Sequence, residues 1–500
     1  MKLAESGSPN VQGGPVIDHR NCQLPICKVP SEVVCKVFLE VMHSKFETSR
    51  KAPPWIDITH ICRHLREIAL TCPLLWSRPV FHCNPALTDL MIARSGTAPL
   101  IIDLGHPNSL KSDVLAKVFT LYPRIRTLEA TTTLFGPIIA LPVRKLSQMP
   151  PSPILETLRL RAANPYQQEE VSQRFSDTLT CCSSLKSIVI EQCLFDWTAI
   201  PAPPALEYLK LHNSRGSRLS SVQELVNTLG SLSNLKDINL TDILPFETRQ
   251  TSHKQPVLLP SVRRLTLADN RVDAIIAFLS LIQVPPSYTI DLDLDISDDE
   301  NTDFTLQRLG EILDSLTAAR AGGGQAKVSK IYVQSPFYRC MGDRPSIALS
   351  VWYNHFEDHQ PTLRLAFPGI LQPHVKFFEK FTQHLDISAL RSFVVSTTFV
   401  TRLTTEVWGL FRSLACLETI KFVRASASSF VEAWQDTQSA RENLPFPALR
   451  TVSFNQVDFM EKGEIWDGLI TAATSRLEGK SFKIKICNAR GFTEESINLI

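Results

Sequence analysis

No apolar run in this chain is long enough to cross a membrane. The longest, Ala274 to Val284, is about eleven residues and already holds Ser280 and Gln283, where a span needs about 18–20. Met1 to Asn21 is polar and rich in Gly and Pro, without the apolar stretch of about 7–15 residues that a secretory leader carries. Charge of one sign is missing too: 52 Lys+Arg face 50 Asp+Glu, a formal net charge of +2. That argues against a nucleic-acid or acidic-membrane partner held by bulk electrostatics and leaves a local patch open. The twelve cysteines contain no Cys-x-x-Cys; Cys22 and Cys27 come nearest and lack a second ligand pair at finger-like spacing. They are therefore expected to be reduced, buried, small hydrophobes rather than a disulfide framework or a zinc site.

Catalytic signatures are equally scarce. No Gly-x-x-x-x-Gly-Lys-Ser/Thr, Gly-x-Gly-x-x-Gly, Gly-x-Ser-x-Gly or His-Glu-x-x-His occurs. The nearest metal-like cluster, His355, Glu357, Asp358 and His359, stands just before Gln360-Pro361 and reads as loop. His60, Cys62 and His64 alternate on an expected helix, where i and i+2 do not share a face. No cofactor or metal is expected, and the chain reads as folded and intracellular, cytoplasmic or nuclear.

What is present is ample core material: 44% hydrophobic residues, including 26 Phe, against 20% charged. Residues 1–22 read as a flexible tail, 23–80 as short helical pieces, and 81–120 as a linker with the first elements of a repeating region. In the second part Pro30 opens a helix with Val33, Val34, Val37, Phe38 and Val41 in an amphipathic stripe. A polar stretch from His43 to Ala52 and Pro53-Pro54 interrupt it. Ile58, Ile61, Cys62, Leu65, Ile68 and Ala69 then share a second face, ended by Cys72-Pro73 and followed by Leu74-Leu75-Trp76.

From residue 121 to 500 one phrase recurs: apolar, two variable, apolar, one variable, apolar. Its ten copies begin at Ile125, Leu155, Leu185, Leu206, Leu235, Val262, Val328, Leu390, Leu417 and Leu449. The first six are spaced by 30, 30, 21, 29 and 27 residues, the period of a leucine-rich repeat. Each copy predicts a short strand with its apolar residues inward and the intervening ones outward. Helical stretches such as Val222–Leu229 and Phe304–Leu316 lie between. One strand and one helix cannot bury their own faces; stacked copies can, each buried Leu or Ile contributing about 1.5–3 kcal/mol. Residues 295–385 are poorly periodic, and the Asn expected shortly after the phrase is mostly absent.

The run Val29-Pro30-Ser31-Glu32-Val33-Val34-Cys35-Lys36-Val37-Phe38, a loop, and then Ile58 to Trp76 resembles an F-box of the large fungal, especially basidiomycete, families. Ala93 to Ile101 resembles the segment those proteins carry just after the box. The resemblance implies an α/β chain: a small N-terminal helical F-box, then an irregular leucine-rich solenoid with parallel strands on its concave face and helices outside. It also implies a non-catalytic substrate-recognition subunit of an SCF-type ubiquitin ligase, whose box docks on the Skp adaptor that bridges to cullin. Carried over by position, the adaptor contacts would be Pro30, Val33, Val34, Phe38, Cys62, Arg63, Leu65, Ile68, Leu75 and Trp76. Leu65 stands where many boxes have Trp, and the 43–55 loop is longer than usual. Read from the residues alone, the two helices either meet a partner helix or cap the first strand of the solenoid.

Outward repeat positions form two columns: Thr157, Ser187, Tyr208, Asp237 and Arg264, then Arg159, Val189, Lys210, Asn239 and Thr266. Of these, Thr157, Arg159, Tyr208, Lys210, Asp237, Asn239 and Arg264 are the candidates for contact with an unknown protein target. The acidic run from Asp291 to Glu300 places Asp291, Asp293 and Asp295 outward on a strand, a like-charge ladder to be offset by solvent, a neighbouring Arg or Lys, a basic partner or calcium. Two other functions stay open: a binding scaffold whose degenerate box no longer recruits cullin, and an unrecognised enzyme in 295–385.

Overall fold

The computed structural model describes residues 25–45, 54–81, 84–105, 112–132, 154–162, 182–192, 203–212, 221–245, 255–285, 288–294, 302–319, 327–334, 346–353, 361–368, 375–396, 403–435, 445–457, 459, 468–471, 474 and 482–488. The tail, the His355–His359 cluster and Asp295 to Glu300 lie outside them. The chain divides into two compact units, Met1–Leu194 with Pro203–Leu206, and Phe195–Ala202 with Glu207–Ile500. Both are α/β.

The first unit holds α1 (Ser31–Lys45), α2 (Arg63–Leu70), a 3-10 turn at Pro73–Trp76, α3 (Pro85–Arg94) and α4 (Ser112–Leu121). Its strands are β1 (Leu100–Leu104), β2 (Ile125–Thr132), β3 (Thr157–Ala162) and β4 (Ser187–Glu191), parallel and in chain order. The parallel ladder therefore begins at Leu100, ahead of the first legible phrase, with a register shift between Leu100 and Ile101.

The second unit carries β5 (Tyr208–His212), α5 (Val222–Ser231), β6 (Asp237–Thr241), β7 (Val257–Leu258), β8 (Arg264–Ala268), α6 (Val272–Ser280), β9 (Ile282–Gln283), β10 (Thr289–Asp293) and α7 (Thr302–Ala319). It continues with β11 (Val328–Gln334), β12 (Ser346–Tyr353), β13 (Leu363–Pro368), α8 (Val375–His384), β14 (Ser392–Ser396), α9 (Thr405–Phe411), β15 (Thr419–Val423), α10 (Ser428–Gln435), β16 (Thr451–Asn455) and β17 (Lys483–Cys487). Consecutive helices from α5 to α10 pack side by side. β7 and β9 form a separate two-stranded ladder.

All ten phrases fall on strands, and in nine the three apolar positions are buried. The exception is the Ile125 copy, where Leu128 and Ala130 are half-buried. The all-parallel expectation needs correction between 295 and 385. β10 pairs with β13, and β12 runs antiparallel between β13 and β11 before parallel order resumes at β14. Every residue of β12 from Ile347 to Tyr353 is buried, so the strand lacks the polar alternation by which a half-exposed strand is read.

A second repeat is written in the backbone. Among the described residues, six of the seven non-glycine residues with positive φ directly follow a strand: Gln192, Asp242, Asp269, Arg424, Gln456 and Asn488. In three of them this left-handed residue extends the ladder by one bond: Asp242 N–H donates to Ala268 O, Arg424 to Asn455 O and Gln456 to Cys487 O, each at 2.9 Å. The turn then carries the chain off the sheet. Asn270, three residues beyond the Val262 phrase, secures one such exit from the interior. Its Oδ1 accepts from the Ile243 and Leu244 N–H groups at 2.9 Å, and its Nδ2 donates to Leu240 O and Ala268 O at 2.8 Å. With only 3% of Asn270 exposed, water cannot replace those four bonds. Asn270→Ala is expected to lower the stability of this unit by about 3 kcal/mol, read as a lower urea midpoint with an unchanged slope. A loss within about 0.5 kcal/mol, the range of surface substitutions, would show that the cap is not structural.

Candidate functional site

The N-terminal helices form a core of their own. Val34, Phe38 and Met42 of α1 meet Leu65, Ile68 and Ala69 of α2, Cys72, Leu75 and Trp76 of the following turn, and Val80 and Met91 beyond it. Cys62 caps α2, its Sγ accepting from the Leu65 N–H at 3.5 Å. Arg66 Nε donates to Thr59 O at 2.8 Å and ties the preceding 3-10 turn, Pro54–His60, to α2. Trp76 Nε1 donates to Ala69 O at 2.9 Å, and the Arg94 guanidinium lies 4.5 Å above the Trp76 ring. Burial, then Cys72 and Glu32, push the Cys35 thiol up to about 11, so at neutral pH it is a packed neutral group rather than a nucleophile. The expectation of buried cysteines is met only in part: Cys72 and Cys182 are buried, whereas Cys416 and Cys487 are exposed.

This packing sorts the ten candidate adaptor residues. Val34, Phe38, Leu65, Ile68, Leu75 and Trp76 lie inside the module. Cys62 is half-buried at the cap, Arg63 pairs with Glu67 at 3.0 Å in the open, and Pro30 and Val33 are exposed. Leu65 is thus a core position here, so its identity bears on internal packing. The α1 stripe is split: its Val34 and Phe38 face inward with Met42 one turn on, while Val33 and Val37, four residues apart on one helix face, stay 47% and 53% exposed. Six of the eight exposed large hydrophobics among the described residues belong to this short module: Ile26, Val33, Val37, Ile61, Leu70 and Leu74. Val37 is not among the contacts that the resemblance implies, and the stripe by itself does not reveal which of its two edges faces the core.

The segment after the helical module has a definite task. Gly96, at φ +53°, ends α3 in the left-handed conformation that glycine adopts most easily. Arg124 Nη2 holds the turn through Ser95 Oγ at 2.8 Å and Ala98 O at 3.0 Å. The Ile101 N–H donates to Ser77 O at 2.9 Å, joining the helical module to β1.

The outward strand positions line up in register, within each unit separately. In the first, Thr157 lies between Thr127 and Ser187, and Arg159 lies between Glu129 and Val189. In the second, Tyr208, Asp237 and Arg264 are cross-strand neighbours, as are Lys210, Asn239, Thr266 and Asp291. The first unit's face is a lattice of ion pairs: Arg159–Glu129 at 3.1 Å, Arg161–Glu191 at 3.8 Å, and Glu156 between Arg126 at 2.9 Å and Lys186 at 3.4 Å. Burial pushes the Glu156 carboxyl up, but the two cations outweigh it and hold it below the usual range. Of the acidic ladder, Asp291 is offset by the strands on either side of it. Arg364 of β13 stands 3.6 Å from Asp291, and Arg264 of β8 adds to it, yet burial still pushes that carboxyl up.

No protein-family model and no curated sequence matches the chain. Among solved structures, 28 chains match. One belongs to the crystal structure of the yeast Rad7–Elc1 complex, at 12% identity, covering 90% of this chain and 94% of that one with a TM-score of 0.35.

Proposed function

We propose that this protein is a non-catalytic substrate receptor of an SCF-type ubiquitin ligase inside the cell. Its N-terminal helices dock a Skp-like adaptor that leads to cullin, and its outward strand faces hold a target protein. The observation that carries the reading is the crowding of exposed large apolar side chains onto the helical module whose sequence resembles an F-box. Val33 and Val37, side by side on one helix face, are the part of it that a partner helix could cover. The catalytic contribution would be proximity, a target lysine held near a charged conjugating enzyme.

Val33 and Val37, rather than the core residues, are the side chains that separate docking from folding. Val33→Asp/Val37→Asp adds charge to an exposed face and leaves Val34 and Phe38 in place. Co-expressed with a Skp adaptor, the wild type is expected to capture it. The double variant should lose at least about 100-fold in affinity, since burying an unpaired carboxylate is costly, while its unfolding transition stays unchanged. Folded, soluble wild type that captures no adaptor would sink the receptor reading and leave a binding scaffold.

A further inference from the structure

The five adjacent strands β11, β14, β15, β16 and β17 carry no Asp or Glu at any outward position. Their outward residues run in register as Lys330, Ser392, Thr419, Thr451, Lys483 and, one row on, Tyr332, Val394, Lys421, Ser453, Lys485. Lys483 and Lys485 are exposed, Lys330 and Lys421 half-exposed. Lys330 sits 4.7 Å from the centre of the Trp352 ring, which leaves its charge intact. At the strand starts Glu418 lies between Arg391 and Arg450, adding one more net positive charge beside the face. This contrasts with the first unit, where each strand cation has a carboxylate partner.

Protection of a sheet edge explains lysines on β17, the last described strand. It does not explain Lys421, two strands further in, or Lys330 on β11. Like charges on one sheet face repel, and nothing anionic among the described strand positions offsets them. We propose that this face binds an acidic, extended segment of a partner protein. Lys483 and Lys485 are about 7 Å apart along their strand, the spacing of alternate residues in an extended peptide, and Lys421 lies about 10 Å across the sheet from Lys485. The hydroxyls of Ser392, Thr419, Thr451 and Ser453 between them supply donors to carboxylates. A nucleic acid fits less well: its affinity grows with the number of phosphates neutralised, and these lysines offer about four. The face is independent of adaptor docking, since a chain that captured no adaptor would still carry it.

The test uses the full chain and a short fluorescein-labelled peptide alternating Glu and Ser, followed by fluorescence anisotropy at low ionic strength. The expected result is saturable binding that weakens steeply with salt. It should drop about tenfold or more in Lys421→Gln/Lys483→Gln/Lys485→Gln and be absent for a Gln–Ser peptide. The reversed variant Lys330→Glu/Lys421→Glu/Lys483→Glu/Lys485→Glu should instead take a Lys–Ser peptide, which separates charge recognition from damage to the fold. No binding of the Glu–Ser peptide, equal binding of the Gln–Ser peptide, undiminished binding by the triple variant, or tighter binding of oligothymidylate would each overturn the proposal.

Discussion

Trp408→Ala is expected to lower the stability of the second unit by about 4 kcal/mol, among the largest effects available to one substitution in this chain. The indole is 1% exposed and is the hub of an aromatic core. Its ring centre lies 5.3 Å from Phe393 on β14, 5.7 Å from Phe422 on β15 and 5.0 Å from Phe430 on α10. Phe393 in turn packs on Phe411, and Phe422 stacks on Phe454 of β16 at 5.5 Å. Removing the indole opens a cavity that rigid neighbouring rings cannot collapse into, and it also forfeits aromatic contacts worth about 0.5–1.5 kcal/mol each. Urea denaturation of wild type, Trp408→Phe and Trp408→Ala would measure this. Phe should retain most of the lost stability. An Ala variant within about 1 kcal/mol of wild type would mean that the rings do not carry the packing.

A comparable loss, about 4 kcal/mol, is expected for Trp76→Ala in the N-terminal module. Its ring is 4% exposed, its N–H is bonded to Ala69 O at the end of α2, and Arg94 covers its face. The module is small, so one lost anchor is a large share of its cohesion. Trp76→Ala should therefore release the helices as a unit, raising the rate of limited proteolysis between α1 and α3 while β1 to β4 persist. Unchanged proteolysis would show that the indole does not hold the module. The same reasoning bears on adaptor binding: loss of capture in a Trp76 or Phe38 variant reports unfolding as readily as docking. The exposed pair Val33 and Val37 is free of that ambiguity.

Much of the architecture is set by local pattern. The alternation in phrases such as Leu155-x-x-Leu158-x-Leu160 places apolar residues on one side of a short strand, whichever neighbour later pairs with it. All ten copies are strands for that reason. The outward neighbours, Thr157 beside Ser187 and Tyr208 beside Asp237, arise from the same periodicity. The helices over Val222–Ser231 and Thr302–Ala319 are legible in the same way, from Leu225, Leu229, Leu309 and Ile312 recurring at helical spacing.

Three things depended on tertiary structure. The antiparallel β12 is buried along both faces, so no alternation marks it, and its pairing with β11 and β13 rests on partners brought together only by the folded sheet. The left-handed residue that follows six of the strands is Gln, Asp, Arg or Asn with no shared side chain, because the constraint acts on the backbone. The division of the α1 stripe was decided by the docking of α2 and the Pro73–Trp76 turn. An amphipathic pattern gives a helix an apolar side; the placement of neighbouring helices determines which edge of that side is covered. Here they cover Val34 and Phe38 and leave Val33 and Val37 to solvent.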